Sequence, residues 1–192
     1  MSVAPVEAAS GWQSLLATWR DLDVPEGYRA EIAEGAIRMS PPPGGWHNVI
    51  AAGMHWALQS SAPNGVDVFQ TAAVALDKTE KLYIPDVVAA PRSGVRTDGS
   101  IAPQDVLITV EISSPGNANV DRQEKLRAYA AGGVPAYLLI DIVRSSGATA
   151  TLYTDPVGGE YQHVVQVPFG ETLRLPKPFD ADLDTSLFRM DA

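Results

Sequence analysis

Residues 106–142 read VLITVEISSPGNANVDRQEKLRAYAAGGVPAYLLIDI, and the fold is decided there. Residues 106–112 are almost all apolar and rich in β-branched side chains, the composition of a strand covered on both faces. Residues 113–119 read as a loop. Residues 120–131 carry a helical pattern that Gly132-Gly133 stops. Residues 136–142 are a second buried strand. A strand, a helix and a strand at this spacing form a βαβ unit with a right-handed crossover, so the two strands are parallel. The fold class is α/β.

Working outward, residues 66–76 are strand-like with a break near Thr71, and residues 81–90 form a strand with Pro85 in it, so that it bends or starts properly at Asp86. Residues 29–39 predict two short strands around Glu34-Gly35, closed by the run Ser40-Pro41-Pro42-Pro43-Gly44-Gly45. Residues 46–60 predict a helix with Val49, Ile50, Gly53, Trp56 and Ala57 on one side. Trp12, Leu15, Leu16 and Trp19 fit a short amphipathic helix that Ser10 can cap, after a loose tail at residues 1–10. The four tryptophans, Trp12, Trp19, Trp46 and Trp56, read as packing residues rather than stacking platforms. Strands are expected at 149–153, 161–167 and 171–173, before an acidic tail. The organisation is a tail and helix over residues 1–27, then a single domain over 28–192. The glycine pairs 44–45 and 132–133 match no phosphate loop.

Composition narrows the chemistry. The 192 residues are 45% hydrophobic, enough for one compact domain. With no cysteine, disulfides, thiolate zinc sites and cysteine nucleophiles are excluded. Three histidines make a multi-histidine zinc site implausible. No run approaches the 18 apolar residues of a membrane span, and no signal peptide is visible, so a cytoplasmic protein is expected.

Three acids stand where buried residues belong: Asp86 before VVAA, Glu111 after VLITV, and Asp141 after AYLLI. A buried carboxylate is unfavourable unless paired or bound to a metal, although a strand-end acid can simply face water. That plain reading suits Asp141 best. Asp86 and Glu111 lie on neighbouring β segments, and the helix after Glu111 carries Asp121 and Lys125 four residues apart. Two carboxylates and a nearby lysine suit Mg²⁺ or Mn²⁺ chemistry on a phosphate ester. Lys125 can equally be a solvated partner of Asp121.

The blocks EIAEGAIRMSPPP, YIPDVVAA, VEISSPGN and DRQEKLRAYAAGGVPAYLLID, with His47 at the head of the early helix, resemble in order and spacing the Uma2 family of the PD-(D/E)XK superfamily. The match runs over about residues 28–152. The resemblance implies a restriction-endonuclease-like fold, a central mixed β-sheet flanked by helices. It implies that Asp86 is a metal ligand, with Glu111 the acid of the (D/E)XK element and the backbone carbonyl of Ile112 a further ligand. The superfamily lysine falls at Ser113 here, a departure, and Lys125 on the following helix is the matching residue. Glu31 and His47 occupy recurrent family positions near the site. Superfamily habit also makes a homodimer an expectation.

The expected function is therefore Mg²⁺- or Mn²⁺-dependent hydrolysis of nucleic acid, with DNA the expected substrate. Two alternatives stand beside it: a non-catalytic protein retaining the fold, and a phosphoesterase acting on a small substrate. The net charge of −9 argues against a broad nucleic-acid footprint. Residues 78–127 nevertheless hold seven basic and seven acidic residues, so the whole excess lies elsewhere. Weak, salt-sensitive binding strengthened by divalent metal is the expectation.

Overall fold

The computed structural model describes residues 11–114, 118–143, 145 and 147–188. The expected tail at residues 1–10 and the cap at Ser10 lie outside the described residues. Helix α1 (Trp12–Arg20) leads into the hairpin of β1 (Arg29–Ala33) and β2 (Ala36–Ser40). Glu34 and Gly35 both have positive φ, at 51° and 70°, the conformation a two-residue hairpin turn demands. Helix α2 (Gly45–Ser61) follows, then β3 (Val66–Phe69), β4 (Val74–Leu76), β5 (Lys81–Tyr83), β6 (Val87–Pro91) and β7 (Ile108–Ile112). A π-helical turn (Val120–Lys125) runs into α3 (Leu126–Gly132), followed by β8 (Ala136–Asp141). The chain ends with β9 (Thr149–Val157), β10 (Glu160–Pro168), β11 (Thr172–Arg174) and β12 (Asp182–Asp184).

A six-stranded sheet has the order β10-β9-β8-β7-β6-β3. Its β7–β8 pair is parallel, as residues 106–142 predict, and its other pairs are antiparallel. A four-stranded sheet, β2-β1-β5-β4, stands beside it. The chain crosses between these two sheets three times, between β2 and β3, between β3 and β4 at the break near Thr71, and between β5 and β6. At the third crossing the segment 81–90 breaks at the expected bend, and its two halves, β5 and β6, fall in different sheets. Pro85 cannot donate to a ladder, so the chain bends there and delivers Asp86 to the joint between the sheets.

Alternation along the central strands sorts their side chains. Ile108, Val110 and Ile112 of β7 and Leu138 and Ile140 of β8 pack with Ile50, Met54 and Leu58 of α2. The intervening residues Val88, Tyr137 and Leu139 pack on the opposite face with Ala128 and Tyr129 of α3. Glu111 and Asp141 share the parity of this second face, and Asp86 shares the parity of Val88 and Ala90. Each fully buried Ile, Met or Leu contributes about 1.5–3 kcal/mol by leaving water. A third core joins Trp12 and Leu16 of α1 to Ile32, Leu82 and Ile84.

Four expectations need correction. The helix over 120–131 begins as a wider π turn, because the Tyr137 hydroxyl takes the Asp121 carbonyl at 2.9 Å and Arg122 reaches back to Asp141. Helix α2 buries His47, Ile50, Ala51, Met54 and Leu58, while Trp46, Val49 and Trp56 are exposed, so these two tryptophans are not core residues. The acidic C-terminal stretch is not a tail. Exposed Asp182 and Asp184 flank buried Leu183 in a strand paired with β11, and Phe188 is buried against Gly53 of α2. Asp141 is not a solvated strand end but is 1% exposed and fully engaged. Among the described residues no helix is long and apolar enough to cross a membrane.

Candidate active site

Strand β7 ends under the π turn, and the chemistry gathers there. Val87 pairs with Val110, so the residue before β6 meets the end of β7. Asp86 accepts the Ile112 backbone N–H at 2.7 Å through Oδ2. The same oxygen lies 3.0 Å from His47 Nε2, and Oδ1 accepts from the Arg29 guanidinium. Arg29 comes from β1 and His47 from the first turn of α2. Three elements thus converge on one carboxylate that is only 2% exposed. Burial pushes its pKa up, but the His47 hydrogen bond and the Arg29 charge outweigh that and hold it below the ordinary value.

Glu111 is arranged differently. Lys125 Nζ lies 3.0 and 3.1 Å from its two oxygens, and the Tyr129 hydroxyl donates at 2.8 Å. The nearest opposite charge is therefore a single ammonium group, and Asp121, Asp86 and Glu31 add like charge nearby. Burial and these neighbours hold its pKa well above the ordinary carboxylate range despite Lys125. Lys125 Nζ is also 3.0 Å from Glu31 Oε1, which accepts the Ile84 N–H at 2.8 Å. The three carboxylates around Lys125 raise its pKa against the opposing effect of burial. The Lys125 ammonium further lies 5.3 Å from the centroid of the Tyr83 ring.

Asp121 completes the group. Its side chain is 0% exposed, neither oxygen accepts a hydrogen bond from the described residues, and Lys125 Nζ stands 3.9 Å away. Burial pushes its carboxyl up to about 7. These residues line one cleft of about 420 Å³, with Arg29, Glu31, Arg38, His47, Tyr83, Asp86, Glu111, Asp121 and Lys125 on its walls and Pro41–Gly44 at one edge.

The structure thus brings Glu31, His47, Asp86, Glu111, Ile112 and Lys125 together, all of them singled out from the sequence. Arg29, Asp121 and Tyr129 were not assigned there. Arg29 had a signal, since it alternates with Glu31 along β1 and so shares its face. Ser113 does not enter the cluster. Its hydroxyl donates to Asp141 at 2.9 Å and accepts the Ile142 N–H at 3.1 Å.

The donor set suits a hard divalent cation. Four carboxylates (Glu31, Asp86, Glu111, Asp121) share the cleft with three permanent cations (Arg29, Arg38, Lys125), a formal excess of one negative charge. The two buried oxygens of Asp121 lack any hydrogen bond. All-oxygen sites of this kind fit Mg²⁺ or Mn²⁺. Among the described residues no three acidic or histidine side chains converge closely enough to hold one ion, since the Lys125 ammonium stands between Glu31, Glu111 and Asp121.

Comparison with known proteins agrees with this geometry. A search of curated proteins gives no match. Among solved structures, the chain is similar to one described as "a putative nuclease belonging to DUF820 from Anabaena variabilis ATCC 29413". The two share 19% identity with a TM-score of 0.69, over 91% of this chain and 96% of that one, which shows a common fold. The model of the Uma2 family, described as "Putative restriction endonuclease", matches residues 16–187. With nearly the whole chain matched, a mixed sheet flanked by helices, and acids from β7 and the β5–β6 joint meeting in one cleft, the protein belongs to the Uma2 family within the PD-(D/E)XK-like nuclease superfamily.

Proposed function

We propose that the chain is a divalent-metal-dependent endonuclease that hydrolyses phosphodiester bonds in nucleic acid, with DNA as its substrate. The observation that carries the reading is the placement of Lys125, whose ammonium group touches Glu111 inside the cleft that also holds Asp86. The position of the superfamily lysine is taken by Ser113, and a lysine from the following helix reaches the same acid instead.

Asp86, Glu111 and the Ile112 carbonyl are the groups that would hold Mg²⁺ or Mn²⁺. Such an ion polarises a phosphoryl group and lowers the pKa of water. The protein's own residues do the rest. Arg29 and His47 fix the orientation of Asp86, and the Tyr129 hydroxyl fixes Glu111. Glu31 holds Lys125 toward the cleft, where its charge stabilises the non-bridging oxygens of the phosphate as negative charge grows on them. The protein is expected to act in the cytoplasm. It is expected to bind nucleic acid weakly and to work as a homodimer.

One observation favours a second reading, a non-catalytic protein retaining the fold: both oxygens of Asp86 already have protein partners. Cleavage of single- and double-stranded DNA and RNA with Mg²⁺ or Mn²⁺ separates the two readings. The nuclease reading expects cleavage that chelation stops and Glu111→Ala abolishes. Activity undiminished in that variant would sink the assignment.

A further inference from the structure

A buried carboxyl group with no hydrogen bond is a costly feature, and most proteins avoid it. Asp121 is such a group. Every other acid on the cleft accepts hydrogen bonds: Asp86 from Arg29, His47 and Ile112, Glu111 from Lys125 and Tyr129, and Glu31, through Oε1 alone, from Lys125 and Ile84. Asp121 has only the Lys125 ammonium, at 3.9 Å, beyond hydrogen-bond reach.

Its backbone, by contrast, is firmly held. The Tyr137 hydroxyl donates to the Asp121 carbonyl at 2.9 Å, and the neighbouring Arg122 is pinned to Asp141 by two hydrogen bonds of 2.7 and 2.8 Å. The π turn is therefore fixed on the Arg122 side and keeps the Asp121 side chain on the cleft. Wide turns of this type recur where a side chain must be re-aimed for function. A fixed carboxyl group near Glu111 that accepts no hydrogen bond among the described residues has lone pairs suited to a cation.

We propose that Asp121 is a ligand of the catalytic cation, contributing a carboxylate alongside Glu111. The inference rests on the metal-dependent reading of the cleft. It explains why Asp121 and Lys125 share one turn. The turn supplies both a ligand for the ion and the positive charge that holds the acids together without it.

The test is Mn²⁺ binding, followed by the electron paramagnetic resonance signal of the free ion. It is run on the whole chain as wild type, Asp121→Asn, Asp121→Ser, Glu111→Gln and Asp141→Asn, with the metal-free melting temperature of each. The expected result is at least a 10- to 100-fold weaker Kd for both Asp121 variants and for Glu111→Gln. Asp141→Asn should bind as the wild type does. The metal-free melting temperature of Asp121→Asn should equal or exceed that of the wild type, because an unpaired charge has been removed. Wild-type affinity in both Asp121 variants, with Glu111→Gln impaired, overturns this inference alone. Failure of both Asp121 variants to fold assigns the residue a structural part and also overturns it. A wild-type protein that binds no Mn²⁺ overturns the metal-dependent reading itself, and this inference with it.

Discussion

Glu111 and Asp141 end adjacent parallel strands, on the same face of one sheet, under the same turn of chain. Both are 1% exposed. They behave oppositely because of what the 120–125 turn sends to each. Asp141 receives two hydrogen bonds from Arg122, one from the Ser113 hydroxyl and one from the Val143 N–H. These donors outweigh burial and hold its pKa below the ordinary value. Glu111 receives one ammonium group and one phenol, and its pKa is driven up. A carboxylate saturated by a guanidinium ties the turn to the sheet, whereas one left short of positive charge can take a cation. The same strand-end acid thus serves structure at β8 and chemistry at β7.

The largest effect that sharpens this contrast is on activity. Glu111→Gln should lower metal-dependent cleavage by about 10³-fold, since the group proposed to hold the ion loses its charge. Asp141→Asn should leave cleavage by the folded enzyme within a few-fold. Equal losses in the two variants would erase the distinction. Next is Lys125→Met, which should lower kcat by about 10²-fold, as loss of one donor to a charged transition state does. Its Mn²⁺ affinity should not weaken, because a positive charge leaves the cluster. Weaker Mn²⁺ binding in that variant would make Lys125 a structural member of the site only.

Stability should show the reverse ranking. Asp141→Asn weakens a buried pair, discounted because Arg122 is 28% exposed, and should cost about 1–3 kcal/mol. That is a fall in melting temperature of about 2–12 °C for a chain of this size. The pH profiles should also diverge. The Asp141 carboxyl is lowered on folding, so its contribution is full above the unfolded value near 3.8 and is lost as pH falls through the lower folded value. The Asp141→Asn deficit should therefore shrink in acid. Asp121 is raised from 3.8 to about 7, so the metal-free protein should lose stability between about pH 4 and 7 as the unfolded carboxyl ionises first. Asp121→Asn should remove that loss, and thermal melts from pH 4 to 8 without metal would show it.

How much of this is legible in the chain follows from the same pair of acids. The alternation around VLITVEI and AYLLIDI places both on one face, and blocks ordered as in Uma2 proteins point to Asp86, Glu111, Lys125, Glu31 and His47. Nothing local separates Glu111 from Asp141, because each ends an apolar run. The difference is made by Arg122 and Lys125, three residues apart on a turn whose π geometry depends on a Tyr137 hydroxyl from the following strand. The burial of Asp121 is hidden for the same reason. On α2, Trp46 and Trp56 attract a reading by hydrophobicity, yet the stripe His47, Ile50, Ala51, Met54, Leu58 carries the packing. Phe188 is missed because it follows a strand that alternates aspartate with leucine and resembles a charged tail.

The smallest expected effects come from two hydroxyl deletions, one at each acid. Ser113→Ala removes one hydrogen bond to Asp141 and leaves those from Arg122 and Val143, so it should cost about 1 kcal/mol or less in a thermal melt. Cleavage should be unchanged, even though position 113 is where the superfamily carries its lysine. Tyr129→Phe removes the one neutral donor to Glu111 and leaves Lys125 as the partner. The Glu111 carboxylate then turns more freely, so metal affinity and kcat should each fall about 10-fold, while stability moves by about 1 kcal/mol. If Ser113→Ala depressed cleavage as much as Tyr129→Phe did, Asp141 and the residue bonded to it would belong to the reacting site. The division between a structural and a chemical strand end would then fail.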